Sequence, residues 1–172
     1  MARGASPANG EQLRDSVYWA NSAALVCADE IFPLNFIGLL DSAEGRIPSA
    51  CLIAQVPENL HDRPFRSDCI EKLDYPRQML EVVFVANGIG DPCLSSVHVS
   101  AGGLRDIGFR ARVVTHSVQR NPIVVLENEV MASDADFILL ADLLAALPPD
   151  ILRKAAKVHL TRHPSSPAKP RR

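Results

Sequence analysis

Apolar positions divide the 172-residue chain into short runs separated by proline, glycine and small polar residues. From Glu11 to Glu30 they recur at Leu13, Val17, Trp19–Ala20, Ala23–Ala24 and Cys27, a helical period that predicts one helix. Phe36 to Leu40 reads as a strand closed by a turn at Asp41–Gly45, and Ile47–Val56 as a second strand able to pair with it in a hairpin. Ser67 to Leu73 has the pattern of a helix interrupted by Pro76. Met79–Asn87 is an almost unbroken β-branched and aromatic run, the pattern of a central strand buried on both faces.

Beyond a glycine-bearing loop, Ser95–Ile107 places apolar residues at Val97, Val99, Ala101, Leu104 and Ile107. That spacing predicts a helix with a glycine stop at Gly108, against the low propensity of Gly102–Gly103. Phe109–Val118 and Pro122–Val130 read as strands joined by a turn at Gln119–Pro122. Ser133 is a suitable N-cap for a helix over the apolar stretch 134–147, and Pro148–Pro149 opens a last helix over 150–160. The predicted order is helix, two strands, helix, strand, helix, two strands and two helices, a mixed α/β or α+β domain. The polar segment 1–10 and the basic, proline-rich tail 161–172 are expected to be disordered.

With 47% hydrophobic and 22% charged residues the composition is that of a globular protein, and the length fits one domain. A net charge of −2 provides no electrostatic field for nucleic acid or an anionic membrane. Lys169, Arg171 and Arg172 are too few for a nucleic-acid arm. No apolar run reaches the roughly 18 residues of a membrane span, and the N-terminus lacks a signal-peptide core, so a cytoplasmic protein is expected. Cys27, Cys51, Cys69 and Cys93 form no C-x-x-C pair. They read as small buried hydrophobes in a reducing compartment.

The chemistry concentrates in Val85–His98, "VANGIGDPCLSSVH". As a phosphate cradle it is incomplete, because the third glycine of G-x-G-x-x-G falls at Cys93 and no Gly-Lys-Ser/Thr follows. A nucleotide-binding α/β module stays open as an alternative on Gly88 and Gly90 after a strand.

From Phe36 to Val130 the chain also resembles the JAB/MPN metalloprotease-like domain, in particular its bacterial RadC-like branch. That branch carries His-Asn-His-Pro-Ser-Gly-Asp-Pro and then Pro-Ser-x-x-Asp after a buried strand. Matching on Gly90-Asp91-Pro92 sets "VANGIGDP" and "LSSVH" on the two halves. The segments "NFIGLLDSAEGRI" and "GLRDIGFRARVVTHSV" are similar to the family's flanking strands and turns. The resemblance implies a cytidine-deaminase-like three-layer sandwich with a mixed central sheet and flanking helices. It would span residues 11–131, with an added C-terminal helical pair over 132–160.

In that family two histidines and an aspartate hold zinc, a glutamate is the general acid–base, and a serine supports the oxyanion. Here the histidine positions hold Val85 and Asn87, the aspartate position holds His98, and Ser95 keeps the serine position. The glutamate would fall near Pro33, with Glu30 the nearest carboxylate. The resemblance therefore implies a catalytically degenerate domain without a cofactor, acting as a binding or scaffolding module. Its partner would be another protein or a second copy, met through the C-terminal helices, and DNA repair is a role by resemblance only. The opposing expectation is a zinc hydrolase with relocated ligands at His98, His116 and Asp91. Metal analysis of purified protein separates the two: the degenerate domain carries no stoichiometric zinc. A relocated site carries zinc that His98→Ala or His116→Ala removes.

Overall fold

The computed structural model describes residues 15–20, 24–27, 30–36, 47–56, 67–87, 93–116, 122–142 and 147–164. Its apolar runs lie side by side as seven strands: β1 (Val17–Ala20), β2 (Ala24–Cys27), β3 (Glu30–Pro33), β4 (Ala50–Gln55), β5 (Leu80–Asn87), β6 (Arg110–His116) and β7 (Phe137–Asp142). They form one sheet in the order β3-β2-β1-β7-β4-β5-β6. β1, β7, β4, β5 and β6 run parallel to their neighbours, whereas β2 and β3 complete an antiparallel meander at one edge. Four helices accompany them: α1 (Asp68–Glu71), α2 (Leu94–Asp106), α3 (Pro122–Ala132) and α4 (Ile151–Arg162). The chain is thus an α/β protein built on a mixed sheet.

Parallel neighbours need crossovers, and α1, α2 and α3 lie between the strands they connect. On one face of the sheet Leu52, Phe84, Phe137 and Leu139 pack with Val97, Ala101 and Leu104 of α2 and with Ile151, Leu152 and Ala155 of α4. On the other, Ile53, Val83, Val85, Ile138 and Leu140 pack with Val125 and Val130 of α3. Arg112 pairs with Glu81 at 2.9 Å and with Glu129 at 2.6 Å, tying β6 to β5 and to α3. Arg162 joins Glu30 and Asp15, holding the end of α4 to the meander.

Several expected elements stand where the pattern set them: α1 within 67–73, β5 within 79–87, β6 within 109–118 and α4 from Ile151, although α4 runs on to Arg162, into the start of the tail expected to be disordered. α2 ends as its glycine requires. Gly108 takes φ 96°, and the amides of Gly108 and Phe109 donate to the carbonyls of Arg105 and Leu104.

Four expectations are corrected. The helix over Glu11–Glu30 is instead β1, β2 and the start of β3, because Val17–Ala20 alternates between the two sheet faces with Tyr18 and Ala20 buried. The hairpin between 36–40 and 47–56 does not form, since β5 and β7 occupy both edges of β4. Phe36 closes a 3-10 turn, and 37–40 lie outside the described residues. Pro122–Val130 is helical: Pro122 opens α3, and the parallel step from β6 to β7 needs a crossover there. Residues 137–142, expected as part of a helix, are β7 in the middle of the sheet. The expected C-terminal helical pair over 132–160 is therefore one central strand followed by one helix. The expected disordered segment 1–10, and 165–172 of the tail, fall outside the described residues.

A polar clasp sets the seat of β7. Asp136 Oδ2 accepts from the Ser49 amide at 2.7 Å and from Ser49 Oγ at 2.9 Å. The amides of Asp136 and Phe137 donate back to the Ser49 carbonyl at 3.0 and 3.2 Å. This fixes β7 against β4 just before their first register pair, Ala50 and Phe137. Leu139→Ala, at a fully buried position of β7, is expected to lower stability by about 3 kcal/mol in urea denaturation. A loss under about 0.5 kcal/mol would match a peripheral, detachable segment instead.

Candidate functional site at the carboxyl edge of the parallel strands

Successive strands β4, β5 and β6 step outward in one direction. The chain then returns across the sheet through α3 and adds β7 on the other side of β4. Strand order thus reverses at β4. In parallel α/β sheets the carboxyl ends of the strands at such a reversal are the customary place for a ligand. Gln55 and Asp142, the last residues of β4 and β7, are register partners there. Next to them Asn87 and His116 end β5 and β6 and are also register partners. The Val56 amide donates to the Val85 carbonyl at 2.9 Å, extending the β4–β5 ladder to the edge.

The glycine loop leaves β5 at this edge and leads into α2. Gly88, Gly90 and the candidate ligand Asp91 lie outside the described residues. Cys93, buried, is the N-cap residue of α2, and its carbonyl accepts from Ser96 Oγ at 2.7 Å. Ser95, the candidate catalytic serine, sits one residue inside the helix and is exposed, as is His98 one turn further on. His116 stands at the end of β6 rather than on the helix. Among the described residues no three His, Cys, Asp or Glu side chains gather as a ligand set.

The residues do not fit the zinc site that the JAB resemblance implies. Val85 is buried and offers no donor atom. Glu30, the nearest stand-in for the glutamate, begins β3 and pairs with Arg162. Five strand spacings, about 24 Å, separate β3 from β5.

A cavity of about 350 Å³ lies beside the reversal point, on the face of the sheet that carries α3. Trp19, Ile53, Leu126 and Leu140 wall it, and Gln55 stands at the strand-end side. Sequence reasoning missed this site because it placed Trp19 in a helix and Leu140 in another. The available signal was Trp19 alternating with apolar Tyr18 and Ala20.

The thiols are not poised as nucleophiles. Burial pushes the Cys51 thiol up to about 12, with the nearby Glu81 adding to it. Burial also raises Cys27 and Cys69 above the ordinary thiol range. Cys27, Cys51 and Cys93 are buried, as their reading as small hydrophobes expects, and Cys69 is half-buried.

No family model matches the chain, and no curated protein does. Among solved structures, a mannosyltransferase from Pyrobaculum calidifontis, in complex with GDP-Man and Mn2+, is similar to it with a TM-score of 0.55. The likeness covers 66% of this chain and 33% of that one at 22% identity. At such identity it shows the fold, and the chain spans about a third of that enzyme's length.

Alkylation of the native protein with iodoacetamide near pH 8 checks the thiol environments. Cys69 is expected to be labelled first, with Cys27, Cys51 and Cys93 protected until unfolding. Fast labelling of Cys51 would contradict its burial.

Proposed function

We propose that this chain is a nucleotide-binding α/β module that takes a nucleoside diphosphate, as such or carrying a sugar, across the carboxyl edge of β4, β5 and β7. One observation carries the reading: strand order reverses at β4 within a parallel set, and Gln55 and Asp142 face each other in register at that reversal. The fold likeness to an enzyme holding GDP-Man supports the ligand class. The chain's own residues supply suitable chemistry. α2 opens at Cys93 with no side-chain cap hydrogen bond, and the free amides of a helix's first turn favour phosphate oxygens. Gly88 and Gly90 are residues that let a backbone approach an anion closely. The Gln55 amide, exposed at the end of β4, can donate and accept. A protein-held Mn2+ takes several oxygen ligands. Asp142 is the one carboxylate among the described parallel-strand ends, and the reading routes no chemistry through a metal.

The second reading is the degenerate JAB-type scaffold, or its relocated-ligand hydrolase variant. Ile31, Val99, Ile123, Val124 and Met131 favour it as a contact protein, being apolar and exposed. The predominantly parallel sheet and its reversal at β4 favour the nucleotide module over it.

Thermal denaturation with GDP, UDP or GDP-mannose tests the proposal. A nucleotide at a hundred times its Kd is expected to stabilise by about 2.7 kcal/mol, a rise of several degrees in Tm. It is also expected to shift the amides of 88–91 in NMR spectra. Gln55→Ala, at an exposed side chain, should weaken nucleotide binding while leaving the Tm of the free protein nearly unchanged. Unchanged Tm and unchanged amides with all three nucleotides would remove the reading.

A further inference from the structure

We propose that the cavity beside Trp19 is the subsite for the nucleotide's base, with the ring stacked on the indole and its edge read by the Gln55 amide. This rests on the nucleotide-binding reading above and adds a place for the base. Three features of the cavity converge on a flat, uncharged ring.

The first is the wall. Trp19 is 54% exposed, although its strand neighbours Tyr18 and Ala20 are buried and its cross-strand partner Leu140 is only 5% exposed. The protein thus leaves half an indole in water in the interior of a sheet row. An indole face there offers the stacking partner that nucleobases of any sequence accept. The second is the shape. Ile53 and Leu140 lie beside Trp19 on the same face of the sheet, and Leu126 of α3 supplies an aliphatic wall. At about 350 Å³ the space is at the small end of ligand sites, large enough for a base with part of its ribose.

The third is charge. Among the described residues that line the cavity none is Lys, Arg, Asp or Glu, a lining that suits the uncharged part of a nucleotide rather than its phosphates. Gln55 is the one polar side chain among those described lining residues, and a carboxamide can pair in bidentate fashion with a base edge.

Trp19 is the chain's single tryptophan, so its emission reports on this cavity alone. Binding of GDP, of UDP and of inorganic pyrophosphate is followed by calorimetry and by tryptophan fluorescence, in the native protein and in Trp19→Ala and Trp19→Phe. GDP or UDP is expected to change the emission saturably at its calorimetric Kd, whereas pyrophosphate binds without changing it. Trp19→Ala should weaken the nucleotide about tenfold and leave pyrophosphate unaffected, and Trp19→Phe should recover most of the loss. Nucleotide binding with unchanged emission and undiminished affinity in Trp19→Ala would overturn the subsite while the nucleotide-binding reading stood. Absence of any binding by GDP, UDP and pyrophosphate would overturn both.

Discussion

The hydrogen-bonded seat of β7 between β1 and β4 is the constraint on which the other features depend. Its six residues pair in parallel with Ala50–Gln55 on one side, and four of them, Ile138–Ala141, with Val17–Ala20 on the other. Without that strand the N-terminal meander and the β4–β5–β6 half would have no common sheet. The Ser49–Asp136 clasp sets the register, and register decides the chemistry. A slip of one residue would turn Leu139 out of the larger core and Leu140 into it, and would separate Gln55 from Asp142. Packing and site geometry therefore share one cause.

The same seat explains why the two faces of the sheet differ. α2 and α4 close the face carrying Phe84, Phe137 and Leu139. The opposite face receives α3, whose Val125 and Val130 settle over Ile53, Val83 and Val85. Toward β1 that cover thins, and the cross-strand row from Ile53 through Leu140 and Trp19 to Val26 and Ile31 runs out into solvent exposure at Ile31. The cavity lies where cover gives way, next to the strand-order reversal. A ligand bound there would meet an apolar wall on one side and the polar strand ends on the other, the usual composition of a small-molecule site.

Much of the sheet was legible in the chain, and the failures have physical reasons. Leu80–Asn87 reads correctly because valine and phenylalanine crowd one short run bounded by turn residues. Phe137–Ala141 is equally buried on both faces, but its leucines and alanine are good helix formers and the apolar stretch continues past it. Pro122–Ala132 fails in the opposite sense: its isoleucine and valines suggest a strand, while the parallel crossover demands a helix. Val17–Cys27 looked helical because two short strands of alternating burial, set end to end, imitate a 3.6-residue period. At the site, the glycine loop and Asn87 drew attention from local wording. Gln55, Trp19 and Asp142 did not, because only the strand order brings them to one crevice.

Native-state hydrogen exchange resolved by residue tests the central position of β7 most directly. Amides of Ile138–Ala141 should exchange as slowly as those of Leu52–Ala54 and open only with global unfolding. Fast exchange across 138–141, with 52–54 still protected, would contradict it and return that segment to the periphery.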